Sequence, residues 1–445
     1  MTTKGSQPTT KAKSKQTAGQ LPLRVAILGF GTVGQSVARI IVERADLAES
    51  LQLTHIFNRN VSRKRVDWTP ESVVWTEQIE EVLAASPDVI VETVGGVKGT
   101  YEWVQQALSQ GVSVVTANKL LMATHAPELI SLASTHGSQI RFEAAVAGGV
   151  PIIDGIRFGL AGDQLSRVVG ILNGTCNFIL SRMTSTESMS TVLEEAQRLG
   201  YAEADPSSDI DGHDAAAKLV LLAGVSFQRH LKASVVPTMS IRRIDNVDCL
   251  YASRLGRTIR QLSIVESMGN GHLQAFVGPV LVPQESSFAL NKGAQNFVMV
   301  IGRYGGAKSF SGEGAGGNPT ATAVVSDLVA LTKKERNADT SDGVWLPGTL
   351  APPPLRSYYL RFVVNDQSGI LASITTSLAR YGINVDAVLQ EPGFPKDRLP
   401  FVVTVEPCED TALEEAMRVI EREDFHAEAP LVMPLLHGSN DVLAV

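Results

Sequence analysis

Between Gly200 and Lys218 the chain reads GYAEADPSSDIDGHDAAAK, which places Glu203, Asp205, Asp209, Asp211 and Asp214 ahead of a single lysine. The run HDAAAKLVLLA that closes the stretch has the alanine and leucine content of a helix entering a core. Asp214 and Lys218 stand at i and i+4, so both heads lie on one face, within reach of each other and of anything the loop holds. An exposed pair of this kind contributes about 0–1 kcal/mol and needs no function. Here the residues after Lys218 are apolar almost without break, so the helix is expected to be buried, and a buried lysine needs partners or a role. His213, beside Asp214, reads as a solvated neighbour rather than an acid–base group.

A second chemical signal lies near the start of the ordered sequence, in RVAILGFGTVGQSVARIIVER. Gly29, Gly31 and Gly34 are spaced G-x-G-x-x-G, with Phe30, Thr32 and Val33 between them, after a short apolar run and before an apolar helix pattern. Glycines in a strand–turn–helix let the backbone approach a pyrophosphate, whose charge meets the unpaired N–H groups of the helix start. The next strand-like run, LQLTHIFNRN, carries Asn58 where an NAD enzyme often has an acidic residue, with Arg59 next to it. This favours NADP over NAD, with Arg59 as the first choice for the 2′-phosphate. Arg63, Lys64 and Arg65 read equally well as a solvated helix start.

The elements that position these groups follow from the alternation of patterns. PDVIVETVGG (87–96) and GVSVVTANK (111–119) are strand-like, with a helical segment from Thr100 to Gln110 between them. That alternation predicts a Rossmann-type, doubly wound parallel sheet over residues 23–150. Ligands bind beyond the C-terminal ends of such strands, where Thr93, Gly95, Asn118 and Lys119 fall. From Gln139 a fifth strand leads through glycines into a second domain, 151–332, whose short alternating runs between Lys232 and Ala289 predict a sheet of its own in an α+β arrangement. Within it Asn173, Gly174 and Thr175 form a helix-capping sequence. Cys176 reads as a buried small hydrophobe, since no nearby histidine would activate it. Gly314 and Gly316 belong to a second glycine-rich turn, GEGAGGNPTATAVVSD, that brings backbone to a ligand. Residues 333–355 are polar and then proline-rich, as in a linker. Beyond it, 356–445 shows the order β-α-β-β-α-β of a ferredoxin-like module. A module tethered in this way should be removable after about Gly348 without loss of fold or activity.

Composition narrows the class. The 445 residues carry a formal charge of −7, with 44% hydrophobic and 19% charged residues. No apolar run reaches the roughly 18 residues of a membrane span, and no basic stripe suits a phosphate polymer, so neither membrane nor nucleic acid is an expected partner. Three cysteines, Cys176, Cys249 and Cys408, are too few and too scattered for a disulfide framework and point to a reducing compartment. Residues 1–22 have the composition of a disordered tail rather than of a secretory signal.

Six motifs in order give the chain a family resemblance: GFGTVG, TANK ending at Lys119, EAAVAGGVPII from Glu143, GILNGTCNFI from Gly170, the acidic stretch with Asp214 and Lys218, and GEGAGGNPTA from Gly312. They resemble homoserine dehydrogenases that carry a C-terminal ACT domain. The resemblance implies NAD(P)-dependent interconversion of L-aspartate 4-semialdehyde and L-homoserine, on the route to threonine and methionine, by a cytoplasmic homodimer or homotetramer. It implies an active site in which Glu203, Asp209 and the loop at Gly200 bind the substrate. Lys218 would be the proton donor, Lys119 would polarise the same oxygen, and Asp214 would orient the group. The clustered carboxylates then meet a substrate ammonium. The resemblance also implies sodium or another monovalent cation at Glu143 and the carbonyls of Val146, Gly148 and Val150. For the ACT domain it implies a small-molecule sensor, with Asn365, Asp366 and Gly369 as effector contacts and threonine as the candidate effector. Two other classes stay open: an aspartate semialdehyde dehydrogenase, which needs an activated cysteine for which Cys176 is the candidate, and a non-catalytic nucleotide-sensing regulator.

Overall fold

The computed structural model describes residues 21–184, 186–333 and 344–436. The tail expected over 1–22 and the linker expected over 333–355 therefore lie largely or partly outside the described residues. The first sheet contains β1 (Leu23–Leu28), β2 (Leu51–Phe57), β3 (Val74–Thr76), β4 (Val89–Glu92), β5 (Ser113–Thr116) and β6 (Ile140–Arg141), all parallel in the order β3-β2-β1-β4-β5-β6. β1 and β4 are central and almost wholly buried, because helices cover both faces and leave no polar side for the alternation to mark. The order reverses between β1 and β4, which opens a crevice at their C-terminal ends. One covering helix, Gly317–Thr332, comes from far along the chain: Ala321, Val324, Val325 and Leu328 pack with Val25, Ile27 and Val37.

The second sheet is larger. It is built from β7 (Leu165–Ile171), β9 (Arg257–Ser267), β10 (His272–Pro283), β11 (Gln295–Gly302), β12 (Gly306–Glu313), β14 (Thr349–Leu350), β15 (Arg356–Val364), β16 (Val385–Leu389), β17 (Leu399–Cys408) and β18 (His426–Leu435). Its main path runs β12-β11-β7-β9-β10-β18-β15-β17-β16, with β14 beside β10. The remaining pair, β8 (Arg229–His230) and β13 (Leu346–Pro347), forms a small parallel sheet. Helix His213–Phe227 lies against one face, its Ala215 to Ala217 and Leu219 to Ala223 packed with Val168, Val265, Val277, Val298 and Val300. The helix is buried as its composition predicts, and its N-terminus carries Asp214 to the gap between the two sheets.

The C-terminal module has the expected β-α-β-β-α-β order in β15 to β18 and helices Ile370–Arg380 and Asp410–Ile420. It is not a tethered appendage. β18 joins β10 at Leu281↔Leu435, so a single sheet runs through both parts. Successive residues of β15 point to opposite faces: Tyr358, Leu360 and Phe362 face the module's own helices, whereas Tyr359 packs with Ile179, Tyr251, Ile259 and Leu281 of the second domain. Asp248, on helix Asn246–Arg254, is fully buried there. Its carboxylate accepts hydrogen bonds from Tyr359 Oη (2.8 Å) and Arg361 Nη1 (2.7 Å). Burial pushes the Asp248 carboxyl up to about 6, with Arg361 pulling it back.

The described part of the linker is also anchored. The ring of Trp345 is buried so tightly on Gly224 that a Cβ there would fall 2.2 Å from it, and β13 and β14 pair with β8 and β10. Proline content signalled an irregular path, but it did not show that the path runs in contact with the core. Truncation after Gly348 is therefore expected to expose the apolar face of Ile179, Tyr251, Ile259 and Leu281 that Tyr359 covers, and so to lower Tm. Thermal unfolding of the truncated and full chains measures this, and equal Tm values would restore the detachable module.

Candidate active site

Asp214 is the centre of the site. It is 3% exposed at the start of its helix, and two lysines from different domains converge on it. Lys218, one turn on, meets Oδ2 at 2.8 Å. Lys119, the first residue of helix Lys119–Thr135 beyond β5, pairs with Oδ1. Asn173 Nδ2 donates to Oδ2 at 2.8 Å and to Asp209 Oδ1 at 2.7 Å, while its Oδ1 accepts from Cys176 N and so caps helix Gly174–Arg182. Burial alone would raise the Asp214 carboxyl, but Lys218 and Lys119 overcome it and hold the group well below the ordinary carboxylate range. Lys218 Nζ also donates to Leu172 O at 2.8 Å. Two of its three protons are thus committed to the protein, which leaves one for a further acceptor.

The other carboxylates of the acidic stretch separate into distinct roles. Asp205 accepts from Ser207 and fixes the loop, and Asp211 binds Arg242 and Ser240. The hydrogen bond from Arg242 takes the Asp211 carboxyl down to about 2. Neither reaches Asp214's cluster. Asp209 does, through Asn173. Glu203 and Gly200 are exposed and make no hydrogen bond to the Asp214 cluster, and Gly200 has φ +78°. His213 is exposed, as expected. The Cys176 thiol is fully buried, donates to Asp209 O and is pushed up by burial, the opposite of an activated nucleophile.

The glycine turn after β1 has the shape of a phosphate cradle. Gly29 adopts φ +93°, and a Cβ there would fall 2.9 Å from the Thr93 backbone, while one on Gly34 would fall 2.0 Å from Gly29 O. A Cβ on Gly31 meets nothing within 4 Å, so this backbone faces open space, and helix Thr32–Glu43 begins there with no side-chain cap. Those residues fit a dinucleotide pyrophosphate. Thr93 Oγ1 donates to Gly29 O at 2.8 Å and braces the turn. Phe30 is buried against Trp68 and Trp75, so it offers the cofactor only its backbone. Asn58 accepts from Phe30 N at 3.2 Å, leaving Arg59 exposed at the end of β2. Packing alone accounts for Gly314, whose Cβ would fall 1.5 Å from Asn296 Oδ1, whereas Gly316 is exposed. Gly317 abuts Thr32 and Ser36, which brings the second glycine turn against the first.

Glu92 escaped the sequence reading, because it looks like one polar residue closing an apolar strand. It is fully buried. Oε1 accepts from Val94 N and Gly95 N, and Oε2 from Thr116 Oγ1 at 2.6 Å. Thr116 Oγ1 in turn accepts from Asn118 N, and Asn118 donates to Gly96 O and caps the helix that Lys119 begins. One carboxylate therefore sets both the loop after β4 and the root of Lys119.

Glu143 is also buried. Its two oxygens accept from Ile153 N (2.8 Å) and Asp154 N (2.7 Å), and burial, with Asp327 nearby, pushes its carboxyl up to about 7. Ala147 and Gly148 both have φ +55°, which curls the main chain beside it. The carbonyl of Val150 accepts from Ile152 N. Among the described residues no group of three His, Cys, Asp or Glu is placed to hold a metal ion, so a site here would depend on main-chain oxygens. Each Glu143 oxygen keeps a lone pair beyond its amide bond, which a cation held mainly by main-chain oxygens would need.

A Rossmann crevice faced by paired lysines on a buried carboxylate defines an NAD(P)-dependent oxidoreductase, here with an added C-terminal module. Residues 29–143 match the NAD-binding domain of homoserine dehydrogenase, 151–329 match homoserine dehydrogenase itself, and 358–425 match the ACT domain. The Bacillus subtilis homoserine dehydrogenase is 36% identical over 86% of this chain and 91% of its own. The solved homoserine dehydrogenase of Thiobacillus denitrificans aligns with a TM-score of 0.83 at 34% identity over 93% of this chain and 98% of its own. A hyperthermophilic archaeal homoserine dehydrogenase in complex with NADPH aligns at 0.61, with 28% identity, over 71% of this chain and 98% of its own. The chain belongs to the homoserine dehydrogenase family, and its reaction interconverts L-aspartate 4-semialdehyde and L-homoserine with NAD(P). Among the described residues no helix is long and apolar enough to cross a membrane.

Glu92→Gln puts an amide N–H2 against Thr116 Oγ1 and is expected to cost about 1–3 kcal/mol, as for other buried groups left mispaired. Urea unfolding beside kcat separates its roles: a stability loss with unchanged kcat would reduce Glu92 to support of the fold.

Proposed function

We propose that Lys218 is the proton donor of aldehyde reduction and that Asp214 holds it in place together with Lys119. The observation that carries this reading is the convergence of both lysines on one buried carboxylate. When bound, the reduced cofactor supplies a hydride to the aldehyde carbon. The remaining proton of Lys218 meets the oxygen as charge develops there, and Lys119, more exposed, stabilises that charge from the nucleotide side. In the reverse direction Lys218 takes the hydroxyl proton. Asp209 and Glu203 bind the substrate ammonium from the loop that begins at Gly200.

The cofactor lies with its pyrophosphate on Gly29 to Gly34, and Arg59 takes a 2′-phosphate. Its exposure at the end of β2 and the NADPH bound by the archaeal relative support an NADP preference. Glu143, with the carbonyls of Val146, Gly148 and Val150, holds a monovalent cation that offsets the desolvated carboxylate. The ACT domain senses a small molecule, with threonine as candidate, at Asn365, Asp366 and Gly369. Those residues share the turn after β15, where Lys396 pairs with Asp366 and Gly369 has φ +95°. Two chains associate through sheet edges, for which β12 and β16, the ends of the large sheet among the described residues, are available.

Lys218→Met is expected to lower kcat by a factor of about 10² or more with cofactor binding retained, since general acid–base groups contribute about 10²–10⁴. Steady-state homoserine oxidation tests this, and a near-normal kcat removes Lys218 from the mechanism. Arg59→Ala is expected to raise KM for NADP far more than KM for NAD. Equal increases would place the 2′-phosphate elsewhere.

A further inference from the structure

The four residues Ser240 to Arg243 touch the substrate loop on one side and the ACT domain on the other. On the loop side, Ile241 N donates to Ile210 O at 3.1 Å, and Ser240 Oγ donates to Asp211 Oδ1 at 2.7 Å. The Arg242 guanidinium forks onto Asp211, Nε to Oδ1 at 2.7 Å and Nη2 to Oδ2 at 2.9 Å, and Nη2 also reaches Ser207 Oγ at 2.8 Å. These contacts bracket helix Ser207–Ile210, on which Asp209 sits. On the other side, Arg361 of β15 donates through Nη1 to Asp248 and through Nη2 to the Arg243 carbonyl at 3.2 Å. Arg243 reaches back to the carbonyls of Ala429 and Pro430.

We propose that Ser240–Arg243 is the positioning element of the substrate loop and that Arg361 of the ACT domain sets it, so that the ACT domain completes the homoserine site. Arg361 is suited to this because its fork joins two partners in one plane, which a lysine ammonium does not reproduce. Arg361 and Asp248 are almost without solvent, so the fork has little freedom to re-form elsewhere. Asp211 has no contact with the lysine pair, and its role is to transmit the position of Arg242 to the neighbouring Asp209. β15 continues directly into the turn Asn365–Gly369, so movement of that turn on effector binding would reach the loop through one strand. This last step rests on the sensor reading above, whereas the positioning claim does not.

The test is Arg361→Lys, which keeps a cation for Asp248 and loses the fork to Arg243. KM for homoserine is expected to rise about three- to tenfold, with KM for NADP unchanged. Arg242→Ala should raise the same KM, and the double variant should be no worse than the more affected single variant, because both break one chain of contacts. A lower Tm with both KM values unchanged would overturn the proposal, as would equal increases in both KM values or fully additive effects in the double variant. Asp209→Asn is measured beside them, because the proposal rests on Asp209 lining the site. A normal KM for homoserine in that variant removes the substrate reading, whereas a raised one there with a normal one in Arg361→Lys removes the positioning role alone.

Discussion

A buried carboxylate shared by two ammonium groups is the constraint on which this structure depends. Taking Asp214 out of water costs several kcal/mol unless charge and hydrogen bonds compensate it, and a single partner rarely suffices. Here Lys218, Lys119 and Asn173 all supply donors. The three come from separate elements: one turn along the same helix, the helix after β5, and the cap that follows β7. Each element must be in place for Asp214 to be tolerated, so the electrostatics of the site and the packing of the two domains are one problem. The same arrangement brings two ammonium groups from different domains onto one carboxylate.

Glu92 and Asp248 repeat this logic at greater distance from the chemistry. Each is wholly buried and each accepts from several donors, Glu92 from two backbone amides and a threonine, Asp248 from a tyrosine, an arginine and the Asp245 amide. Buried polar groups with many partners specify geometry because displacement of any partner leaves a charge unsatisfied. Glu92 specifies the root of Lys119 against the cofactor side. Asp248 specifies the angle at which the ACT domain joins the sheet.

The parts legible in the sequence were those written in local patterns. The glycine turn, the strand–helix alternation, the burial of helix His213–Phe227 and the i,i+4 pair of Asp214 and Lys218 all follow from spacing within about twenty residues. The short β3 carried too few residues to register. The sorting of the acidic stretch was not legible, because Asp205, Asp209 and Asp211 look alike until Arg242 and Asn173 are placed beside them. The linker misled for a related reason: proline and polar residues report local irregularity, whereas the burial of Trp345 depends on Gly224, more than a hundred residues away. A hint was present in YYLRFVV, whose apolar residues occupy both faces of β15. A strand that is apolar on both faces needs a cover on each, and the module's own helices supply only one.

At the cofactor crevice the two domains also meet through close backbone approaches at glycine. A Cβ on Gly148 would fall 2.5 Å from Gly314 O, one on Gly149 2.9 Å from Pro319, and one on Gly317 2.9 Å from Ser36 and Thr32. The loop that follows Glu143, the second glycine turn and the start of the phosphate-binding helix thus sit in direct contact, with Gly149 N donating to Glu313 O. Side chains can change rotamer to absorb a displacement, but backbone against backbone cannot without breaking the contact. Close approach accounts for Gly314 and Gly317 of GEGAGG, and a φ of +122° for Gly316. These close approaches fix the distance between the glycine turn after β1 and the domain that carries Asp214.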